Sequence, residues 1–383
     1  ERIRTMNDIT IDKTGWKKWR FDEFAQNISE RVEPSQTDMD VYVGLEHIDP
    51  DTLHLSRHGH PSDVEGTKLR FYKGDIIFGR RRAYQRKTAL ATTDGICSAH
   101  AMVLRAKEDV VDPSFFPFLF HSKQFIDMAI TISVGGLSPT INWKDISKQE
   151  FLLPPKSEQK RLAELLWAAG EMIEKEKKEL EKITELYEHL VDSLFSNKKK
   201  ISFGECANIN EKSLCAKTSS EYKFHYIDIA SIVSPKHLGP LTEYTFSEAP
   251  SRARRIVNYN DIVMSLVRPY LKSFVQIKNN IDNLIASTGT AVVSAKPNND
   301  TDFLFHLLFS KAFMSFCENR MNGTNYPAIT PADLGEFLIP MFNYEEQVSF
   351  SQDLNSASKN IEQIEKQIAL SQEVKLELIN KIF

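Results

Sequence analysis

One stretch, residues 157–195, limits what this chain can fold into more than any other. It reads SEQKRLAELLWAAGEMIEKEKKELEKITELYEHLVDSLF. Apolar side chains recur every three or four residues as Leu162, Leu166, Ala169, Ile173, Ile183 and Leu190, with Leu180, Tyr187 and Leu194 on the companion position, which makes a heptad seam. Glu176 interrupts this seam, and charges fill the other faces. The preceding Phe151-Leu152-Leu153-Pro154-Pro155 predicts a short strand ended by prolines that cannot enter a helix interior. Ser157 then stands as the expected cap, while Gly170 costs about 1 kcal/mol relative to Ala and marks a candidate bend. A helix of this length runs about 58 Å at 1.5 Å per residue. It cannot bury its seam alone, so a second helix must cover it.

That second helix is found by searching for repeats. Phe337-Leu338-Ile339-Pro340 matches Phe151-Leu152-Leu153-Pro154, and Glu346-Gln347 matches Glu158-Gln159. A further apolar series follows: Leu354, Ala357, Ile361, Ile364, Ile368, Leu378 and Ile382. Upstream, Lys73-Gly74-Asp75-Ile76-Ile77-Phe78 matches Tyr259-Asn260-Asp261-Ile262-Val263-Met264. Arg82-Ala83-Tyr84 matches Arg268-Pro269-Tyr270, Pro139-Thr140-Ile141 matches Pro327-Ala328-Ile329, and Phe21 to Ala25 matches Phe203 to Ala207. All offsets fall between 182 and 188 residues, in one order, which is the signature of a tandem duplication.

Each copy therefore reads as a mixed α/β segment followed by a long helix. Strands are expected at 41–43, 75–78, 101–104, 262–264 and 290–293, and helices near 113–130 and 302–320. Asn343, with Glu346 three residues later, predicts a capped start for the second long helix. The expected boundaries are 1–155, 156–197 (helix), 198–341 and 342–383 (helix). Because the second globular segment begins where one helix ends and finishes where the other starts, an antiparallel coiled coil with pseudo-two-fold symmetry is the expected arrangement. Ser371 and Lys375 stand against Ile183 and Tyr187, so the two helix faces are not expected to be equivalent.

Composition sets the class. An apolar fraction of 41% and a charged fraction of 26% are those of an ordinary globular protein. No run of 18 apolar residues is present, so no membrane span is expected, and Met6 is a candidate natural start. Four scattered cysteines make no C-x-x-C pair and point to idle thiols in a reducing cytoplasm. The net charge is −4; residues 157–195, with six bases and ten acids, account for 6 − 10 = −4, leaving the remainder neutral with local basic clusters.

The strongest of those clusters is Arg80, Arg81, Arg82, Tyr84, Arg86 and Lys87, directly after a predicted strand. Its counterpart holds Arg268, Tyr270 and Lys272, with Arg252, Arg254 and Arg255 before the strand. Guanidinium groups bind phosphate and guanine edges, and a tyrosine adds a flat surface. Recurrence at one place in both copies favours nucleic-acid contact over a solvated basic loop. The turns at 134–138 and 321–326 have two readings, base readers through Ser, Asn or Tyr, or plain turns before a strand. No catalytic or metal site is expected. His54, His58 and His60 lack a carboxylate or thiol partner, and Ser157 to Lys160 fits S-x-x-K without the other parts of that enzyme class. Walker, G-x-G-x-x-G and Asn-Pro-Pro-aromatic motifs are absent.

The ordered double set resembles the specificity subunits of type I restriction-modification systems. The likeness is carried by Phe151 to Pro155 with Glu158-Gln159-Lys160-Arg161-Leu162, by Gly74-Asp75-Ile76-Ile77, by the Trp19-Arg20-Phe21 and Ile201-Ser202-Phe203 starts, and by the closing Leu378-Ile379-Asn380-Lys381-Ile382-Phe383. The resemblance implies two target-recognition domains, each reading one half of a bipartite double-stranded DNA target, with the helices setting the spacer. It also implies two methyltransferase subunits docked on the helices, S-adenosylmethionine bound in those partners, and restriction subunits in the larger complex. This chain itself would hold no catalytic residue and no cofactor. The competing reading is a non-catalytic coiled-coil adaptor carrying two protein-interaction domains.

Overall fold

A computed structural model describes residues 10–196, 199–234, 237–323 and 325–383. Met6 and Thr324, the latter in the second polar turn, lie outside the described residues. The chain divides into two compact units, Glu1–Lys177 with Lys366–Phe383, and Lys178–Glu365.

In the first unit, Lys17–Arg20 pairs antiparallel with Glu150–Leu153, setting Trp19 opposite Phe151. An antiparallel sheet runs in the order Ala25–Ile28, Met102–Ala106, Ile76–Phe78, Thr88–Leu90. All three residues of Ile76–Phe78 are buried, as expected of an apolar run in an inner strand. A second sheet orders Arg31–Val32, Lys68–Phe71, Gly95–Cys97 and Tyr42–Val43, its last pair parallel. In the second unit the corresponding sheets run Ala207–Ile209, Thr290–Ala295, Ile262–Ser265, Phe274–Gln276, and Thr242–Thr245, Lys223–Ile227, Leu284–Ser287, Ala253–Val257. The pair Lys223–Ile227 and Leu284–Ser287 is again parallel. The fold is thus mixed α/β with several small sheets.

Two loops explain why Gly74-Asp75 and Asn260-Asp261 recur. Gly74 and Asn260 take positive φ (93° and 70°), the left-handed conformation that glycine and asparagine tolerate best. The buried Asp75 accepts from the Tyr72 amide at 2.8 Å and from Arg105 Nε and Nη2 at 2.7 and 2.9 Å. Asp261 accepts from the Asn258 amide at 2.7 Å and from the Ser294 hydroxyl at 2.6 Å. Both carboxylates close a turn that feeds a buried strand.

The glutamines of the repeated Glu-Gln pair have an equally local reason. Gln159 Oε1 accepts from the Asp112 amide at 2.7 Å, and its Nε2 donates to Pro154 O at 2.8 Å and Val110 O at 3.1 Å. Gln347 does the same in the other unit, with the Asp300 amide at 2.9 Å and Phe342 O at 3.0 Å. Each glutamine ties the start of a long helix to the loop that opens the shorter helices.

The long helices span Lys156–Ser193 and Tyr344–Ile382, and Gly170 lies inside the first of them. Asn343 and Glu346 form the expected reciprocal cap, each amide donating to the other's side chain at 2.9 Å. Ser157 does not cap the first helix. The amides of Glu158 and Gln159 bond to Pro155 O, so the serine already lies inside the first turn. The heptad reading also needs correction. Leu190 is exposed, and the buried stripe runs through Leu162, Leu166, Ile173, Tyr187, Val191 and Leu194. A 3.6-residue period over this stretch accounts for the difference. At 100° per residue, Leu190 lies about 80° from the azimuth of Leu162, whereas Val191 returns to within about 20°.

Within the first unit, Leu162, Leu166, Ile379 and Ile382 join one core with Phe21, Phe24, Phe116, Phe120, Phe125 and Phe151. In the second, Tyr187, Val191, Leu194 and Leu354 join Phe203, Phe303, Phe313 and Phe337. The expected helices at 113–130 and 302–320 are each split, into Phe116–Leu119 and Lys123–Thr131, and into Thr301–Leu307 and Lys311–Arg320. Extended Ser122 and Ser310 make the break. Each hydroxyl caps the next helix, accepting from the Phe125 amide at 3.1 Å and the Phe313 amide at 3.0 Å.

Candidate nucleic-acid interface

Strand Ile76–Phe78 runs straight into the first basic cluster, and Ile262–Ser265 into the second. In each unit the chain then makes one tight turn, Ala83–Gln85 or Pro269–Leu271, bracketed by two non-glycine residues at positive φ. These are Arg82 (57°) and Arg86 (54°) in one unit, and Arg268 (49°) and Lys272 (53°) in the other. A left-handed residue with a Cβ costs about 1–2 kcal/mol, so four such residues in matched places require an external brace.

The brace comes from the polar turn that follows the shorter helices. The Arg82 amide donates to Pro139 O at 2.7 Å, and the Arg268 amide to Pro327 O at 2.8 Å. The Ile141 amide returns a bond to Arg80 O at 2.9 Å, and the Ile329 amide one to Leu266 O at 3.1 Å. Bridges Arg81–Thr140 and Val267–Ala328 complete the seam. The basic loop and the polar turn thus stand side by side in each unit. Sequence matching had paired Pro139 with Pro327; their part as carbonyl acceptors needs the fold to be seen.

Side chains follow the backbone. Arg82 Nη2 donates to Ser138 Oγ at 3.2 Å, and Arg268 Nη2 to Asn325 O at 2.9 Å. The Arg268 guanidinium lies 4.8 Å from the Tyr326 ring, within cation–π range. Tyr84 and Tyr270 are exposed beside them, and Leu137 (96% exposed) and Tyr326 (70%) project from the polar turns. Ala83 and Pro269, both buried, anchor the turns from behind.

Other predicted residues are placed differently. Arg86 pairs with Asp51 and donates to His121 O at 3.1 Å. Lys87 donates to Leu45 O at 2.6 Å, and Lys272 lies 3.9 Å from Glu188. These three cations hold the loop to its own unit. Arg254 and Arg255 belong to strand Ala253–Val257 of the second sheet. Arg254 packs over Phe246 at 4.9 Å, Arg255 donates to Ser213 Oγ at 3.0 Å, and Arg252 is exposed next to them. Arg81 is half-buried beside His100, with 3.5 Å between Nη1 and Nε2. Of the histidines, His54 stands edge-on to Trp167 and His60 closes the turn Pro61–Asp63.

Arginines in a rigid backbone frame, flat rings and exposed loop tips are binding groups. They donate to anionic oxygens and offer faces for stacking or packing. Among the described residues, no helix is long and apolar enough to cross a membrane.

Residues 62–185 match the sequence profile of the type I restriction modification DNA specificity domain. The chain is 31% identical over 166 residues to the specificity subunit of the type I restriction enzyme EcoDI of Escherichia coli, covering 42% of this chain and 37% of that relative. It is 24% identical over 314 residues to the MjaVIII specificity subunit of Methanocaldococcus jannaschii, covering 75% of this chain and 73% of the relative. In fold it is similar to the type I restriction-modification S subunit from M. genitalium, with a TM-score of 0.61, 15% identity and 98% of each chain covered.

Proposed function

We propose that this chain, similar to type I restriction-modification specificity subunits, is itself such a subunit and selects the DNA sequence on which the complex acts. In this reading each unit is a target-recognition domain for one half of a bipartite double-stranded target. The two copies descend from a tandem duplication, which the matched order of one sheet in each unit and the matched basic loops support. The long helices serve as an antiparallel coiled-coil spacer and as the platform for two methyltransferase subunits, with restriction subunits joining the larger complex. We assign no catalytic step to this chain and place the complex in the cytoplasm, where its DNA lies.

S-adenosylmethionine belongs, in this reading, to the methyltransferase partner. One observation supports that placement. The Gly135-Gly136 turn closes the bridge Val134–Thr140 and does not join a strand to a helix, as a nucleotide-binding glycine turn requires. What carries the proposal is the doubled loop, an arginine held left-handed and braced by the carbonyl of the neighbouring turn.

The direct test is to map methylated sites in cells that carry this chain with its methyltransferase partner. A bipartite motif that changes at one half when one unit is exchanged supports the reading. Methylation that ignores which unit is present argues for the adaptor alternative. A finer result is expected from Arg82→Ala and Arg268→Ala in quantitative duplex binding. Each should weaken one half-site. Loss of a base contact should relax discrimination at one position by about 1–3 kcal/mol, whereas loss of a phosphate contact should weaken all sequences evenly.

A further inference from the structure

A cavity of about 350 Å³ opens in the first unit beside the basic loop. Arg31, Lys68 and Arg80 line it, together with Asn27, Thr67 and Trp143, and no Asp or Glu is among its lining residues. Glu33, which accepts from the Thr67 hydroxyl, does not line it. Arg80 is poorly satisfied. Its Nη2 reaches Ala99 O at 3.4 Å, and its Nε is buried without a partner. The Lys68 ammonium donates to two backbone carbonyls, Glu65 O and Gly66 O, which leave its charge uncompensated. Arg31 has no ion pair among the described residues. Three cations converge on one concave space without a counter-charge, and a buried donor is left open. That arrangement favours an anion carrying several acceptor oxygens.

We propose that this cavity seats a phosphate group of bound DNA and fixes the register of the first unit, without reading sequence. The inference rests on the DNA-reading function proposed above and adds a division of labour to it. Phosphates protrude from a duplex and can enter a hollow, whereas base edges lie on groove floors and are reached by projecting parts. The projecting parts here are the tips around Leu137 and Tyr84; the cavity is concave. The arginine of this site has no counterpart at the matched position of the other unit. By the 186-residue offset that relates Arg82 to Arg268, Arg80 corresponds to Leu266, a buried apolar side chain.

The test uses the full chain with its methyltransferase partner and a duplex bearing the mapped target, titrated between 50 and 200 mM salt. Arg80→Leu, which installs the side chain of the other unit, should lower the slope of log K against log salt by about one. Across that salt range the salt-induced loss of affinity then shrinks about fourfold. Discrimination against a mismatched half-site should stay as in the parent. Arg80→Lys keeps the charge and should keep the slope. Lys68→Ala, at a partly exposed position, should reduce the slope even if Arg80→Leu folds poorly. An unchanged slope in both Arg80→Leu and Lys68→Ala overturns the proposal, as does lost discrimination at a single base pair. Saturable binding of inorganic phosphate or ATP that Arg80→Leu abolishes, with DNA binding untouched, also overturns it in favour of a free-anion site. A parent complex that does not bind its mapped duplex at all defeats the DNA-reading function itself, a result distinct from any of these.

Discussion

Replacing Phe78 with alanine is expected to cost the first unit about 3–5 kcal/mol, the range for emptying a fully buried aromatic site. Phe78 is fully buried and meets Phe125 edge-on at 5.4 Å and Phe120 at 5.8 Å. Those rings continue through Phe21 and Phe151 to the start of the long helix. The surrounding rings are locked on several sides, so the void cannot collapse easily, which places the cost high in the range. Phe78 is also the last residue of the strand that delivers Gly79 and Arg80. The loss should therefore loosen the basic loop as well. Calorimetry is the measurement, because two units need not unfold together. A shift of roughly 10 °C is expected in one transition, at 2–4 °C per kcal/mol for a unit of this size. Met264→Ala, the matched position in the second unit, should move the other transition. If Phe78→Ala leaves both transitions within 2 °C of the parent, the ring cluster is not what holds this unit together.

The second large effect is acid-dependent. His121 is buried, and desolvation pushes its pKa from 6.5 down to about 4, with Lys375 and Arg86 acting in the same direction and Asp51 and the Thr88 backbone against it. Its Nε2 has no hydrogen-bond partner. The histidine is thus neutral when folded, and below pH 6.5 the unfolded chain takes up the proton that the folded one refuses. Stability linked to this group is fully present above pH 6.5 and is lost as the pH falls toward 4. At 1.36 kcal/mol per pKa unit, the loss reaches about 2–3 kcal/mol by pH 4.5. His121→Phe should remove it, since the matched residue of the second unit is Phe309, buried in the equivalent core. Urea midpoints at pH 7.5 and 4.5 decide the matter. Carboxylate effects are shared by parent and variant and cancel in the comparison. Equal acid sensitivity in both proteins would rule out a neutral, buried His121.

The repeat was legible in the sequence because each matched motif answers a local backbone demand. Gly74 and Asn260 turn the chain, Gln159 and Gln347 tie down a helix start, and Asn343 caps one. Such demands leave their mark on neighbouring residues. What stayed hidden was settled by partners distant in the chain. Arg86 looks like its neighbours until Asp51 is found beside it, and Lys272 until Glu188 is. Arg254 carries the same charge as Arg82 but sits in a strand of the second sheet, over a phenylalanine ring. The split helices turn on single serines whose flanks are as apolar and helix-prone as the rest. The choice of Val191 over Leu190 depends on whether the helix keeps a 3.5- or a 3.6-residue period, which the heptad count cannot decide.

The left-handed bracket around each basic turn has a bearing on how such a protein changes over generations. Its bonds run from main chain to main chain, from the Arg82 and Arg268 amides to the Pro139 and Pro327 carbonyls. Apart from the buried Ala83 and Pro269, side chains inside the bracket contribute little to keeping it shut. Tyr84, Tyr270 and Leu271 face outward and can be exchanged without refolding the loop. A scaffold that separates its hinges from its lettering can drift to a new target one substitution at a time and remain a folded protein throughout.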